Sequence, residues 1–340
     1  MIKIAHIYAS SAKFNSGDFM LGISTKKYFQ EKYLDNEECQ FFDIDCRNQL
    51  AFSINNVEKL NQFDYILVGG GGLILPDTVP NKVSSWQWII PKESYSKIKK
   101  PIYVMSIGYN LFYNQNMTMP SRENSSSDPS RLSIFSDNIK ILIDKSYHFS
   151  MRHNGDRNEL LKIVGEEYKD KVKFEFCPSV WYVDKYWKPK INTNGDDKYI
   201  TIEIKDDREW RRYHKITKDK YYQELEKFVG YCLDKNIKIA YMSHDGSKNF
   251  YKYLLKKGIK IKIFDNTSAN EQSILDNYSQ VKTLLCSAGH SQMMATGLGI
   301  KTISLVSHPK LRYFCDDTND TNFIEINDEQ NIFEKIKDMI

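Results

Sequence analysis

The stretch Thr283–Leu305, TLLCSAGHSQMMATGLGIKTISL, decides how this chain is read. Thr283–Cys286 is apolar and of the length of a buried strand, and Ser287–His290 is a turn of small residues. Ser291–Gly297 has helical spacing, and Thr302–Leu305 is a second buried strand. A succession of strand, turn, helix and strand is the repeating unit of a parallel α/β sheet. Ligands bind such sheets at the carboxyl ends of the strands, where a helix N-terminus offers N–H groups to an anion. His290 stands at that place, flanked by Gly289 and Ser291. Met293, Met294 and Leu298 are expected to face the sheet, which leaves Ala295, Thr296 and Gly297 for close packing.

The same rhythm extends in both directions. Strands are expected at Ile2–Tyr8, Gln40–Ile44, Tyr65–Val68, Ile102–Ile107, His148–Met151, Lys173–Phe176, Tyr199–Ile204, Lys238–Met242, Lys260–Phe264 and Asn322–Ile326. Helical patterns between them cover Phe19–Tyr33, Ser84–Ile98, Ile134–Lys145, Arg157–Glu167, Lys218–Leu233, Ser247–Lys256, Asn270–Tyr278 and Glu329–Met339. A chain of 340 residues is long for one domain and implies two of roughly 150–180 residues. The polar stretch Asp184–Lys198, with Pro189 and Gly195, reads as the linker. Residues 1–183 and 199–340 are then two Rossmann-like domains of an α/β protein. The connection Asn110–Ser133 lacks periodicity and reads as a lid or an insert.

Hydrophobic residues at 41% and aromatic residues at 13% suffice for packed cores. With 48 basic against 44 acidic residues the net charge is only +4, which argues against a nucleic-acid binder with one basic face. The lysines are scattered over expected helix surfaces, a solubility pattern. Six cysteines form no CxxC pair and no metal-ligand set, so they read as reduced thiols of a cytoplasmic protein. MIKIAHIYAS at the N-terminus is a strand, not a signal peptide. No apolar run approaches the ~20 residues that span a bilayer, although work on lipid-linked substrates by peripheral membrane association stays open.

Polar residues gather just after the expected strands. Asn15, Gly17 and Asp18 form a turn, with Asp18 as the expected N-cap of the helix that follows. Gly69–Gly72 lack the lysine and hydroxyl of a P-loop, and the expectation is a ligand-facing loop in which Gly70, Gly71 and Gly72 line a cleft. Arg152 ends a strand, where its fork suits a carboxylate or phosphate, with a salt bridge as the ordinary alternative. Arg208, Arg211 and Arg212 concentrate positive charge beyond Tyr199–Ile204. His244 and Asp245, then Lys310 and Arg312, continue the ring of polar groups. Two domains facing across a cleft, the GT-B arrangement, would bring these strand ends together.

In this order the residues resemble the polysaccharide pyruvyl transferase family. NSGD at Asn15–Asp18 matches its Asn-x-Gly-Asp turn, and YILVGGGGLI matches its strand with a glycine-rich end. PIYVMSIGYN, SMRHNGDRNELL, CPSVWY and the segment from Asn270 to Leu305 follow in the family's sequence, so the resemblance runs from about Ile2 to Leu311. Two positions depart from it: Ala288 stands where the family's Arg-x-His has arginine, and His153 where it has aspartate. The resemblance implies transfer of a pyruvyl group from phosphoenolpyruvate to two hydroxyls of a sugar or glycolipid acceptor, in cell-surface or exopolysaccharide synthesis. It needs neither metal nor cofactor. On this reading His290 is the acid or a phosphate contact, and Arg152, Arg208, Arg212, Gly289 and Ser291 bind the donor. Asn15, Gly17, Asp18, Gly70–Gly72 and His244 then line the acceptor side.

Two other functions fit the same scaffold: a GT-B glycosyltransferase using a nucleotide sugar, and a non-catalytic relative that binds a sugar or anion.

Overall fold

The computed structural model describes residues 1–11, 15–119, 127–191, 197–267, 270–327 and 331–340. The chain forms two compact units, Met1–Ala12 with Leu21–Pro178 and Lys13–Met20 with Ser179–Ile340. The helix Ser16–Tyr33 therefore contributes its first five residues to the second unit and the rest to the first.

The first unit holds six parallel strands: β1 (Ile2–Tyr8), β2 (Cys39–Asp45), β3 (Tyr65–Ile74), β4 (Ile102–Tyr109), β5 (Ser146–Met151) and β6 (Val172–Phe174), in the order β2-β1-β3-β4-β5-β6. Parallel strands covered on both faces read as continuous apolar runs, and Ile66, Val68, Ile102, Val104 and Phe149 are such residues. They pack against Phe135, Ile139 and Leu142 of the helix Ser130–Lys145.

The second unit holds β7 (Tyr199–Glu203), β8 (Ile239–Ser243), β9 (Lys262–Asp265), β10 (Val281–Cys286), β11 (Lys301–Val306) and β12 (Phe323–Glu325), in the order β12-β11-β10-β7-β8-β9. Ile202, Leu285, Ile303 and Leu305 pack on Leu225, Phe228 and Val229 of the helix Lys218–Asp234. Leu284 and Cys286 face the opposite way, onto Met294 and Leu298 of the helix Gly289–Gly297. Gly297 permits a close approach there, since a Cβ would reach 2.7 Å from the Val180 carbonyl oxygen. The strand order reverses between β7 and β10, so the carboxyl ends of these two strands flank the crevice of a doubly wound sheet.

Three expectations need correction. Gly69–Gly72 lie within β3, not in a loop, with Gly69, Gly70 and Gly71 buried and Gly72 half-buried. Gly69, Gly70 and Gly71 have φ of 122°, 38° and 107°, and β3 continues to pair with β4 through Gly69 and Gly71. The helix expected at Ser84–Ile98 is a 3-10 turn at Lys92–Lys97 preceded by irregular chain. There Trp86, Trp88 and Ile90 alternate into the core, a spacing of two that is incompatible with a helix face. The first helix begins at Ser16, not Phe19, so Asp18 lies within its first turn and is not the cap.

Residues 184–198 contain a π-helical turn at Val183–Trp187 and a 3-10 turn at Lys188–Lys190, with 192–196 outside the described residues. Part of the expected Asn110–Ser133 connection, 120–126, is also outside them, as are residues 329 and 330 of the expected C-terminal helix. That helix is described from Ile332 to Met339. None of the six cysteines is in a disulfide.

Candidate functional site

At the switch point of the second unit, β7 ends on Glu203 and β10 on Cys286. The Glu203 carboxylate accepts hydrogen bonds from the N–H of Ala288 (3.0 Å) and of Ser287 (3.3 Å). Ser287 Oγ accepts from the Lys205 N–H at 2.7 Å. These bonds fix the turn that leads into the helix Gly289–Gly297, with Ala288 at its N-cap position. Glu203 is 3% exposed, and burial pushes its carboxyl up to about 7 against the pull of Lys205. Sequence reasoning overlooked it. The available signal was an ionisable residue inside the apolar run Tyr199–Ile204.

His290 projects from the first turn of this helix, with its side chain 22% exposed. Its ring rests on Gly17, where a Cβ would overlap the ring carbons Cγ and Cδ2. Its Nε2 is 3.7 Å from Oδ1 of Asp18. Asn15 shapes that segment: its Oδ1 accepts from the Gly17 N–H (3.0 Å) and its Nδ2 donates to Asp18 Oδ2 (2.9 Å). Asn15, Gly17, Asp18 and His290 are thus brought together within the second unit.

His244 anchors the same segment from below. Its carbonyl accepts from the Ser16 N–H (3.0 Å), its Nδ1 pairs with Ser16 Oγ (2.6 Å) and its Nε2 with the Tyr278 hydroxyl (3.0 Å). Burial drives its pKa down to about 4, so the ring is neutral at pH 7. The expectation that His244 lines a cleft gives way to this buried bracing role.

Beyond β7 lies a cationic cluster. Arg212 is 1% exposed. It donates to the Asp207 carbonyl (3.0 Å), to Asp207 Oδ1 (2.7 and 3.1 Å), to Ser307 Oγ (2.9 Å) and to the Ser287 carbonyl (3.4 Å). These bonds tie the ends of β7, β10 and β11, so Arg212 supports the turn before His290 rather than offering its fork to a ligand. Burial would raise the Asp207 carboxyl, but the Arg212 and Arg208 guanidinium groups outweigh it and hold it well below the usual range. Arg208, at left-handed φ 54°, bonds Asp207 Oδ2 at 2.9 and 2.6 Å. Lys205 pairs with Asp245. The stem of Lys310 lies over Gly289, its Cε 3.3 Å from where a Cβ would be. Buried His308 caps the helix Pro309–Thr318 through Nδ1, which accepts from the Lys310 N–H at 3.2 Å. Ser291 is fully buried.

Arg152 and Gly70–Gly72 belong to the first unit. The Arg152 Nε is 3.6 Å from Asp156 Oδ2, both side chains being buried, which is the salt-bridge alternative. Gly70 abuts Thr25 and Gly71 abuts Leu21, while a Cβ on Gly72 would be 2.8 Å from Asn110 Cγ. These glycines are needed for packing inside the unit. Among the described residues no group of three His, Cys, Asp or Glu side chains is placed to hold a metal ion, and no helix is long and apolar enough to cross a membrane.

Fold and site together define a two-Rossmann α/β protein with a histidine at a helix start beside a cationic strand end. Solved structures share that architecture. The Staphylococcus aureus MnaA–UDP structure is 15% identical, with a TM-score of 0.55, covering 100% of this chain and 88% of that one. The Methanocaldococcus jannaschii UDP-GlcNAc 2-epimerase bound to UDP-GlcNAc and UDP is 14% identical, with a TM-score of 0.54, covering 99% and 92%. At such identities the likeness is one of fold, the GT-B class. No curated protein matches the sequence. The polysaccharide pyruvyl transferase model matches residues 15–309, and the chain belongs to that family.

Proposed function

We infer that the protein transfers a pyruvyl group from phosphoenolpyruvate onto two hydroxyls of a sugar, forming a cyclic ketal, in the cytoplasm. The observation that carries this reading is the His290–Asp18 pair, seated on Gly17. It joins the two ends of the stretch that the family model spans, and its imidazole is partly exposed, one residue from Gly289, over which the Lys310 stem lies. His290 protonates the methylene carbon of the donor, and Asp18 holds the ring and its positive charge. Arg208, Lys310 and the N–H groups at the start of the helix Gly289–Gly297 face the donor's carboxylate and phosphate.

The reaction balances without a cofactor. A proton adds to C3 and leaves an oxocarbenium centre at C2, which the first hydroxyl attacks. The C2–O bond to phosphate then breaks, the second hydroxyl closes the ring, and the two hydroxyl protons end on the new methyl group and on inorganic phosphate.

The test is phosphate release from phosphoenolpyruvate with sugar and glycolipid acceptors, with the product read by mass. His290→Ala should lower turnover by at least about a hundredfold. Unchanged turnover in that variant removes the assignment. Ala288, in place of the family's arginine, favours a second reading, a nucleotide-sugar donor. Transfer from a nucleotide sugar in the same assay, with none from phosphoenolpyruvate, would establish that one instead.

A further inference from the structure

The stretch Lys248–Lys262, KNFYKYLLKKGIKIK, holds six lysines and no acid, in a chain whose net charge is only +4. The structure folds it into the helix Asn249–Lys256 and the turn leading to β9. Phe250 and Leu254 on the inner side are fully buried in the core of the second unit. Lys252, Leu255, Lys256, Lys257 and Lys260 are exposed, and Leu255 presents 45% of its surface to solvent.

These charges are not balanced locally. Asp265 is taken by Lys248 at 2.6 Å, and Glu226 receives the Tyr253 hydroxyl. Lys252, Lys256, Lys257 and Lys260 have no ion pair among the described residues. Lys252 and Lys256 stand one turn apart on the helix, an arrangement that costs stability when nothing opposes it. Four ammonium groups without a carboxylate partner among the described residues, Lys257 lying over the Tyr253 ring at 5.6 Å, surround one exposed leucine and form an amphipathic contact for an anionic surface.

We propose that this face docks the protein onto an anionic lipid surface, with Leu255 entering the headgroup region and the lysines ringing it. Nucleic acid is the other polyanion to weigh, and the side chains disfavour it. All the cations are lysines, point charges suited to a diffuse layer rather than arginine forks suited to single phosphates. The aromatic rings of the element are already used: Tyr251 stacks on Tyr241 at 5.8 Å and Tyr253 packs on Phe250 and Tyr222. None is left for stacking on bases. Docking here is independent of the pyruvyl-transfer reading and stands or falls separately.

The test is co-sedimentation of the full-length protein with vesicles of phosphatidylcholine, with and without a third of phosphatidylglycerol. Binding should require the anionic lipid and weaken as salt rises. Each lysine near such a surface is worth roughly fivefold in partition. Reversing Lys252, Lys256, Lys257 and Lys260 to Glu should therefore lower partition by at least about a hundredfold. The same number of reversals at Lys59, Lys82, Lys99 and Lys162, in the first unit, controls for net charge and should have little effect. Leu255→Ser, at a site open to solvent, should weaken binding several-fold with the melting temperature unchanged. No binding to anionic vesicles, equal loss in both sets of reversals, or preferential binding to a DNA or RNA duplex would each overturn the proposal.

Discussion

His290 occupies the space that a side chain at position 17 would fill. The ring rests on bare backbone at Gly17, and this contact brings Nε2 to 3.7 Å from Asp18. Gly17→Ala must therefore move the imidazole, while φ at this helical position is one that alanine adopts freely. With His290 as the proposed acid, the expected outcome is a fall in turnover of about a hundredfold, because misplacing such a group by roughly 1 Å costs about that much. The melting temperature should change little. Equal turnover in Gly17→Ala would show that the contact does not position the ring.

Two buried groups of the second unit tie stability to pH in opposite senses. Glu203 moves from an ordinary 4.5 to about 7 on folding, so the fold holds its proton more tightly than the unfolded chain does. Its contribution is full below pH 4.5 and is lost as pH rises to 7. His244 moves from 6.5 to about 4. The unfolded chain takes that proton first, so the His244 contribution is lost as pH falls from 6.5 to 4. Glu203→Gln keeps a hydrogen-bond acceptor for Ala288 and removes one of the two opposing slopes. Denaturant unfolding should then show a steeper loss of stability on acidification from pH 7 to 4.5, by up to about 3 kcal/mol relative to wild type. Parallel curves for the two proteins would mean that Glu203 titrates normally.

Below that window a third group, the Glu175 carboxyl, takes over. Burial would raise Glu175, but hydrogen bonds from His148, Lys32 and Ser150 outweigh it and hold the group at about 2. Its stabilisation is present above the ordinary 4.5 and is lost as pH falls toward 2. Glu175→Gln should flatten the acid limb of the unfolding curve between those values, at a cost of about 1–3 kcal/mol at pH 7 for disturbing the hydrogen bonds of a buried carboxylate. An acid limb identical to wild type would count against this.

The glycines of β3 offer a direct choice between packing and ligand binding. Gly69 has φ 122° and its Cβ would collide with the Met105 carbonyl, and Gly70 has φ 38° with Thr25 in the way. Gly69→Ala and Gly70→Ala should each lower stability by roughly 2–3 kcal/mol, through backbone strain and overpacking. A normal melting temperature with weakened donor or acceptor affinity would return these residues to a ligand-facing role.

What the sequence makes legible here follows from range and chemistry. The turn at Ser287–His290 is visible because a doubly covered strand is a plain apolar run that a small-residue turn ends sharply. Four glycines carry no such mark: without side chains, a strand squeezed against Thr25 and Met105 looks the same as an open loop. Trp86, Trp88 and Ile90 were hidden by the charged residues that follow them, which imitate a helix. Arg208 and Arg212 look alike in a row of arginines. Only the positions of Ser287, Ser307 and Asp207 show that one is a brace and the other remains partly exposed, with a side chain 16% accessible against 1%. His244 looked like a cleft residue because its partner, Ser16, lies 228 positions away.

The helix Ser16–Tyr33 belongs to both units, and this sets a timetable for biosynthesis. Asp18 leaves the ribosome 272 residues (290 − 18) before His290. At about 5–20 residues per second that is an interval of roughly 15–55 s. Leu21–Tyr33 can settle on the first sheet early, while Ser16–Met20 must wait for nearly the whole remaining chain. The His290–Asp18 pair is therefore among the last parts of the protein to come together. A nascent or prematurely ended chain carries the aspartate without its histidine, and the C-terminal half made alone carries the histidine without its aspartate.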